Sequence, residues 1–341
     1  MSESGTHITG LGLALPGVAE AADLVSSGER ADAPPPDPAE RIGRKGLRYK
    51  DRATQLALVA ARDALCDAGL ITPDRERCAA GGSTAVVASS NLGNLDSVCT
   101  IAGDIAEKSV AAISPMNLPN ASSNVVASSV AIRFGLRGPN LMLCNGVASG
   151  LDAVRWGASL ISAGRAERAL VVGVETGNGV TARLTGVPED DQLDGAVALV
   201  LESSTAARLR GATSMASLGE GVRSTSVAGC VGSLLPYDAS ASGGTHARGT
   251  RSGGAVEAGP GVWFVPERFD LSAPLPGTEG LERHDVTRTF GRASGALGVL
   301  QCAAAVSWFA SGEATAALVT SGDDGCDGVA GMMLGAPRGA R

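Results

Sequence analysis

Ala148-Ser149-Gly150 opens a run of small residues that continues to Ala163-Gly164, and the apolar stretch Ala169-Leu170-Val171-Val172-Gly173 follows it. Small residues in a long run favour a closely packed helix, and the closing glycine is typical of a helix C-terminus. The apolar stretch is typical of a strand that is buried on both faces. This segment therefore predicts a turn, a helix and a strand of an α/β protein.

The same order of features returns later in the chain. Ala293-Ser294-Gly295 opens a second run of small residues, which ends at Ser311-Gly312 and is followed by Ala317-Leu318-Val319-Thr320-Ser321. An acidic residue follows each strand, Glu175 in the first copy and Asp323 in the second. An ordered set of turn, helix, strand and acidic turn indicates a duplication, because chance similarity of alanine-rich helices would not repeat the turns.

The rest of the chain predicts further strands and helices in alternation. Ile8 to Leu15 and Thr84 to Ala88 have the apolar character of strands. Asp51 to Ala68 has apolar residues at helical spacing and is followed by Gly69, and Asn124 to Phe134 shows the same period. The pattern predicts an α/β fold whose sheets are largely covered by helices.

Composition excludes several classes of protein. The 341 residues are 44% hydrophobic, which is enough for a large core, and the formal charge of −7 argues against general binding of nucleic acid or anionic membranes. The start, Met1 to Gly10, lacks the pattern of a signal peptide, and apolar runs such as Val197 to Leu201 are too short to span a bilayer. We expect a cytoplasmic protein without nucleic-acid or membrane partners.

The cysteines and histidines predict no metal centre and no disulfide framework. The cysteines are odd in number, scattered and without CxxC spacing, at positions 66, 78, 99, 144, 230, 302 and 326. With three histidines in the chain, a histidine-rich metal site is not expected either. We therefore expect neither a metal nor a bound cofactor.

Several segments together resemble the β-ketoacyl synthases of the thiolase superfamily. They are Ile8-Thr9-Gly10-Leu11-Gly12, Gln55 to Ala61 leading to Ala68-Gly69-Leu70, Gly135 to Asn140, and Asp194 to Glu202 with Ala206 to Ala212 after it. The resemblance covers most of residues 5–215 and again 285–335. It implies a thiolase fold, a duplicated five-layer αβαβα arrangement, with an N-terminal half over residues 1–210 and a shortened C-terminal half over residues 211–341.

The resemblance breaks at the nucleophile. Active members read Gly-Pro, a strand, and then Thr-Ala-Cys-Ala-Ser-Gly, whereas this chain has Gly138-Pro139 and then Asn145-Gly146-Val147-Ala148-Ser149-Gly150 without a gap. The cysteine position is therefore Val147, a hydrocarbon that cannot attack a thioester. Cys144 lies three residues earlier, on the predicted strand. We expect it to be a buried structural cysteine rather than a substitute nucleophile.

The two family histidines are missing as well. The Lys-x-x-x-Gly-His element of the family is replaced by Arg288-Thr289-Phe290-Gly291-Arg292, and arginine is a poor proton shuttle. The His-Gly-Thr-Gly-Thr segment has only the echo Gly277-Thr278-Glu279-Gly280, and the Phe-Gly-Gly loop is replaced by Gly322-Asp323-Asp324-Gly325. His246 and His284 fall in no family motif, and we expect both on the surface.

The duplication suggests where to look for the remains of the site. Val147 and Arg292 each precede an Ala-Ser-Gly, so we expect them at equivalent places in the two halves. Helix N-termini present unpaired N–H groups and a partial positive charge, and the two helix starts should converge on one site. Both family positions are degenerate, so the sequence predicts no catalytic residue.

By this resemblance the chain is similar to the chain length factor of type II polyketide synthases. Such a subunit forms a heterodimer with a catalytic ketosynthase and lines the tunnel for an acyl chain that an acyl carrier protein holds on phosphopantetheine. The resemblance places Ile113 to Ser123 at the dimer seam. The candidate tunnel or seam residues there are Met116, Ala121, Ser122 and Ser123.

Other functions stay open at this point. Relatives with glutamine at the cysteine position act as decarboxylases, but valine has no amide for that role. An acyltransferase that reuses the pocket would need a nucleophile, for which Cys144 or Ser149 could be proposed. A pure dock for an acidic carrier protein could use a basic cluster, and a solvated face would look the same. The cluster consists of Arg41, Arg44, Lys45, Arg48, Lys50 and Arg52.

Overall fold

The computed structural model describes residues 5–25, 33–235, 260–312, 314–325 and 328–337. The strands are β1 (Thr6–Ala14), β2 (Thr84–Ser89), β3 (Asn140–Leu143), β4 (Arg168–Glu175), β5 (Gly195–Ser203), β6 (Ala216–Ser224), β7 (Val262–Phe264), β8 (Glu282–His284), β9 (Ala316–Ser321) and β10 (Val329–Gly335). The α-helices are α1 (Pro38–Ile42), α2 (Arg52–Asp67), α3 (Leu95–Lys108), α4 (Val125–Phe134), α5 (Ser149–Ser162), α6 (Gly179–Thr185), α7 (Ser204–Leu209), α8 (Val227–Leu234), α9 (Thr287–Phe290) and α10 (Leu297–Ser311).

The strands form one hydrogen-bonded sheet in which the two halves of the chain occupy opposite ends. The order is β3-β2-β4-β5-β1-β6-β10-β9-β7-β8, so β1 to β5 lie on one side and β6 to β10 on the other. The same arrangement appears in both parts, read outward from the β1–β6 junction. That junction is short, because it pairs only Thr6–Ile8 with Ala216–Leu218. The boundary between residues 210 and 211 stays a prediction.

Three apolar cores separate five layers. The central core contains α5 and α10 between the two parts of the sheet, with residues such as Leu151 and Leu300 packed against both β4 and β9. A second core packs α2 and α4 on the outer face of the first part. A third packs α8 against Trp263 and Leu318 on the outer face of the second part. The predicted αβαβα layering and α/β class are confirmed.

The central helices approach each other through glycine. A Cβ atom added to Gly150 would lie 2.6 Å from the backbone nitrogen of Gly298, and one added to Gly298 would collide with the backbone nitrogen of Leu151. Only glycine permits backbones this close. The contact between α5 and α10 therefore fixes the distance between the two halves, and with it the distance between the two helix starts.

Several predicted elements agree with the structure. Asp51 caps α2, since its carboxylate accepts a 2.9 Å hydrogen bond from the Thr54 nitrogen, and Gly69 follows the helix in a left-handed conformation (φ +67°). Helix α4 and strand β2 lie within one or two residues of the predicted bounds. Amphipathic spacing and terminal residues were sufficient for these elements.

The proposed equivalence of Val147 and Arg292 is wrong by one short turn. The left-handed glycines Gly164 and Gly312 follow α5 and α10. Gly312 lies as many residues after Gly164 as Gly298 lies after Gly150, its partner in the helix contact. A 3-10 turn, Ser294–Ala296, precedes α10 and has no counterpart before α5. This extra turn displaces Arg292 from the position that corresponds to Val147.

One helical stretch is long and apolar enough to cross a membrane by length and composition alone. It is Ser294–Ser311, of which 83% is buried inside the protein. Its position between the two parts of the sheet is that of a core helix. In the parts of the chain that the structure describes, no group of three or more histidine, cysteine or acidic side chains could hold a metal ion.

Candidate functional site

The turn before α5 carries Val147, which the family resemblance places at the nucleophile position. The Asn145 nitrogen donates to Ser149 Oγ (2.8 Å), and that hydroxyl donates to the Gly146 carbonyl oxygen (2.6 Å). Gly146 adopts a left-handed conformation with φ of +82°. Val147 follows, half-buried against the central core. The turn is tightly hydrogen-bonded, but its apex carries a hydrocarbon.

Cys144 was expected to be buried, and that prediction is wrong. Strand β3 ends at Leu143 at the outer end of the sheet, so Cys144 lies on the following loop and is exposed. Partial desolvation by the neighbouring atoms nevertheless raises the pKa of its thiol, and the charge of Glu175 adds to the increase. A thiol with a raised pKa is a weak nucleophile at neutral pH. It borders a cavity of about 530 Å³ lined by Met142, Leu143, Cys144, Asn145, Asp152, Arg155, Trp156, Ser159 and Arg223.

Asn91 joins the two helix starts. Its Nδ2 donates to the Gly146 carbonyl (3.0 Å) and to Ser294 Oγ (2.9 Å), and its Oδ1 accepts from the Gly146 nitrogen (3.2 Å). One side chain therefore bridges the turn that holds Val147 and the turn that follows Arg292. The predicted convergence of the helix starts is confirmed, although the two residues are not equivalent.

Glu175 lies beneath this bridge and is buried. Its carboxylate accepts hydrogen bonds from the backbone nitrogens of Asn91 (2.7 Å) and Gly295 (3.0 Å), which belong to different halves. The Leu92 nitrogen and Ser90 Oγ donate to its other oxygen. Burial raises the pKa of Glu175 to about 7, against these hydrogen bonds, which favour the carboxylate. Its oxygens are fully engaged in holding the backbone.

Arg292 is held by its backbone beside the second helix start. Gly291 precedes it with φ of +80°, and an added Cβ there would lie 2.8 Å from the Asp191 carbonyl oxygen. The Arg292 nitrogen donates to that same oxygen (2.8 Å), and the Arg292 carbonyl accepts from the Leu193 nitrogen (3.0 Å). The guanidinium Nε donates to Glu267 in a close ion pair. The positive charge of the guanidinium is therefore paired with a carboxylate of the same chain.

Glu267 was missed in the sequence. Its second oxygen accepts hydrogen bonds from the backbone nitrogens of Ala293 (3.2 Å) and Ser294 (3.1 Å), at the start of the turn before α10. The available signal was an acidic residue after the apolar run Val262 to Val265 and Pro266, where a strand ends. Acidic side chains just after buried strands lie at a sheet edge, where sites form.

The candidate seam residues lie on the surface. Met116 is exposed, and Ala121, Ser122 and Ser123 are exposed as well. Ser122 Oγ donates to Asn124 Oδ1 (2.6 Å), and the Ser122 carbonyl accepts from Asn94. Whether these residues form a tunnel or seam stays a prediction.

His284, His246 and the loop that replaces the Phe-Gly-Gly segment all belong to the second half of the chain. His284 was expected on the surface, but it is half-buried with edge-on contacts to Phe264 and Trp308, because β8 pairs with β7 beneath α10. Burial lowers the pKa of His284. His246 lies outside the described residues. In the loop after β9, Asp324 accepts a hydrogen bond from the Val227 nitrogen (2.7 Å) and borders a second cavity.

Three members of the basic cluster bind other side chains, although Arg41 is itself exposed. Arg41 pairs with Asp63, and Arg52 pairs with Asp194 (2.8 Å). Lys50 donates to Ser129 Oγ (3.0 Å). The three remaining members are exposed, namely Arg44, Lys45 and Arg48.

Comparison with known proteins identifies sequence matches to β-ketoacyl synthases. The model of the β-ketoacyl synthase N-terminal domain matches residues 8–184. The chain is 28% identical over 205 residues to the 3-oxoacyl-[acyl-carrier-protein] synthase 2 of Vibrio harveyi, which is 53% of this chain and 48% of the relative. It is 36% identical over 118 residues to the granaticin polyketide putative β-ketoacyl synthase 1 of Streptomyces violaceoruber, which is 34% of this chain and 28% of the relative. The aligned region thus spans half the length of these relatives or less.

Solved structures show the same fold over the whole length. The ishigamide ketosynthase/chain length factor superposes with a TM-score of 0.70 at 21% identity, over 98% of this chain and 99% of that one. A structure described as AntDE:AntF, a type II polyketide synthase acyl-carrier protein in complex with its ketosynthase bound to the hexaketide, gives 0.72 at 14% identity, over 98% and 100%. The predicted thiolase fold is confirmed. By its sequence match over residues 8–184 and by this fold, the chain belongs to the β-ketoacyl synthase family.

Proposed function

We propose that the chain is a non-catalytic ketosynthase-like subunit, a chain length factor, that pairs with an active ketosynthase in type II polyketide biosynthesis, aromatic or polyene. Its role there is to complete the heterodimer and to shape the tunnel for an acyl chain carried on the phosphopantetheine of an acyl carrier protein. The chain itself needs no cofactor for this role.

The observation that carries the proposal is the chemistry at the two helix starts. Val147 has no nucleophilic atom, and Arg292 is paired with Glu267. Ser149 is buried, and its hydroxyl is held between Asn145 and Gly146, so it is not presented to a substrate. A site whose polar groups bind one another supports a structural role better than a condensing one.

The surface at the β3 end of the sheet supports pairing with another chain. Strand β3 is an end strand with one open edge, and exposed edges favour pairing. Several large apolar side chains in the segments between β2 and β4, which include β3, are exposed. They are Val110 (72%), Met116 (58%), Leu118 (50%), Ile132 (77%) and Trp156 (52%). Such exposure is typical of an interaction surface.

Co-expression with a ketosynthase that has an intact cysteine, encoded next to this chain, tests the proposal. We expect a heterodimer by native mass spectrometry, with condensing activity that depends on both subunits. A ketosynthase that is monodisperse, active and unchanged in product length without this chain would contradict the proposal. Intact-mass measurement after incubation with an acyl carrier thioester provides a second check, since a covalent acyl adduct on this chain would favour an acyltransferase.

Docking of an acidic carrier protein is a second candidate, and it is favoured by the exposed basic side chains. Arg44, Lys45 and Arg48 lie on one short segment without the internal ion pairs of Arg41 and Arg52. Charge reversal at Arg44 and Arg48 should weaken carrier binding and increase its salt dependence. The matched control is reversal of Arg208, a charged residue on α7. Equal carrier affinity in both variants would leave the basic segment as a solvated face.

A further inference from the structure

The start of the α10 segment has the donors of a carboxylate site, and an internal carboxylate already occupies them. Backbone nitrogens of Ala293 and Ser294 both point at one oxygen of Glu267, and the Arg292 guanidinium binds the other. Backbone N–H groups at a helix start together with a guanidinium are the donors that proteins use for carboxylates and phosphates. Glu267 therefore sits in this arrangement as a bound anion would.

Glu267 is fixed in place rather than offered to solvent. Its side chain is 4% exposed, whereas that of Arg292 is 37% exposed. The residue follows β7 through Val265, whose nitrogen donates to the His284 carbonyl (3.0 Å), and through the rigid Pro266. A buried carboxylate that satisfies three donors on a short tether stays with them. The donors of the anion site are thus already bound by a side chain of the same protein.

The cavity next to this carboxylate also disfavours anions. Its volume is about 480 Å³, and Glu267 forms part of its wall. The other ionisable groups of the wall are Arg268, Asp270, Asp323 and Asp324, so carboxylates outnumber the single guanidinium. Fields of like charge lower the local concentration of anionic ligands. The remaining wall is mostly apolar and includes Phe269 and Leu275.

We propose that Glu267 is a built-in carboxylate that fills the anion site of Arg292 and the α10 start, and that it thereby excludes carboxylated acyl groups from this chain. The ligand class of the closed site is a small dicarboxylate or an acyl group that ends in a carboxylate. Neutral acyl chains are not affected by the exclusion. The functional significance of this exclusion rests on the proposed non-catalytic role. The site itself is formed by residues of this chain.

Removal of the internal carboxylate should open the site. The full chain, as wild type and as Glu267→Ala, is titrated calorimetrically with malonate, and with malonamide as the neutral probe. We expect Glu267→Ala to bind malonate saturably and at least about tenfold more tightly than any binding by the wild type, with no gain for malonamide. Glu267→Asp keeps the charge and is the matched control, which should not bind.

A second substitution tests the donor. In the Glu267→Ala background, Arg292→Met should abolish the gained malonate binding, because it removes the guanidinium. Circular dichroism and thermal unfolding report whether each variant is folded. If Glu267→Ala does not fold, Glu267→Gln, which keeps the shape and removes the charge, is titrated in its place.

The outcomes separate this proposal from the proposed function. Malonate binding by the wild type equal to that of Glu267→Ala overturns the exclusion, and so does a folded variant that gains no malonate binding. Failure of both neutral variants to fold would make Glu267 a purely structural residue and would also overturn the proposal. None of these results involves the ketosynthase partner, so heterodimer formation is decided independently.

Discussion

The two helix starts at the centre of the molecule share a frame but carry different side chains at its two sides. Before α5, the turn keeps its hydrogen bonds through Ser149 and Asn91, and only the apex, Val147, is inert. Before α10, a charge pair of Arg292 and Glu267 occupies the site and binds the backbone of the turn. The apex before α5 carries no nucleophilic atom, and the anion site before α10 is occupied by Glu267.

The difference separates the contacts that hold the two helix starts together from the side chains that those contacts do not constrain. The frame depends on backbone contacts, namely the crossing of Gly150 and Gly298 and the bridge made by Asn91. These contacts have no tolerance for added atoms. The side chain at the apex, Val147, takes no part in the glycine crossing or the Asn91 bridge, so the frame constrains its identity less than that of Gly150 or Gly298.

The largest expected effect comes from breaking the frame itself. Gly298→Ala adds a methyl group that collides with the backbone of Leu151, and overpacking against backbone cannot be relieved by a side-chain rotation. We expect a loss of about 3 kcal/mol in the free energy of unfolding, measured by urea denaturation. Gly232→Ala is the matched control, because its added methyl group meets open space on α8 and should stabilise that helix by up to about 1 kcal/mol. Equal stability of the two variants would contradict the role of the crossing.

The second effect concerns the proton on Glu175, which links the halves through Asn91 and Gly295. Burial raises its folded pKa to about 7 from an ordinary 4.5, so the folded protein favours the neutral acid. Its contribution to stability is therefore complete below about pH 4.5 and is lost as the pH rises to about 7, with a slope of up to about 1.4 kcal/mol per pH unit. Urea unfolding across this range measures the slope.

Glu175→Gln is the control for that slope. The variant has no proton to lose, so its free energy of unfolding should vary less with pH between about 4.5 and 7 than that of the wild type. The same slope in both proteins would show that the carboxylate is already ionised in the folded state. In that case the four hydrogen-bond donors around Glu175 outweigh its burial.

The third effect concerns the β3 end of the sheet, where the outer edge of β3 has no paired strand among the described residues. Trp156 is exposed on α5 beside the cavity at the β3 end, and exposed tryptophans are typical binding hot spots. We expect Trp156→Ala to weaken heterodimer formation by roughly 2 kcal/mol in titrations with the ketosynthase. Leu209→Ala, a more exposed apolar side chain on α7, should leave the dissociation constant unchanged. Equal weakening by both variants would place the interface elsewhere.

Much of this architecture could be predicted from the sequence, because it depends on local signals. The period of α2, its Asp51 cap and Gly69 are properties of neighbouring residues, and so is the repeated order of helix and strand. The placement of Val147 at the family's cysteine position also rests on neighbouring residues, since Gly138-Pro139 and Ala148-Ser149-Gly150 bracket it without a gap, and it stays a prediction.

The remaining features depend on contacts between distant segments. Glu267 is 25 residues from Arg292 in sequence, and no local pattern joins them. Cys144 was expected to be buried as part of a strand, but β3 ends at Leu143 at the end of the sheet, and Cys144 is exposed. The offset of Arg292 arose from a single 3-10 turn, Ser294–Ala296, whose residues also suit an α-helix.

The smallest expected change in stability, and the sharpest comparison of the two starts, comes from Val147→Cys. Val147 is half-buried, so the substitution should cost about 1 kcal/mol or less in the free energy of unfolding. In a background with Cys99→Ser and Cys144→Ser, the new thiol at the start of α5 should react with iodoacetamide, because a helix N-terminus lowers a thiol pKa. It should still not condense a malonyl thioester, since Arg292 is bound to Glu267 and neither supplies the proton transfer of a histidine. Condensation by this variant, measured by mass spectrometry of the carrier-bound product, would show that only the first start was inactivated and that the filled second start is compatible with chemistry.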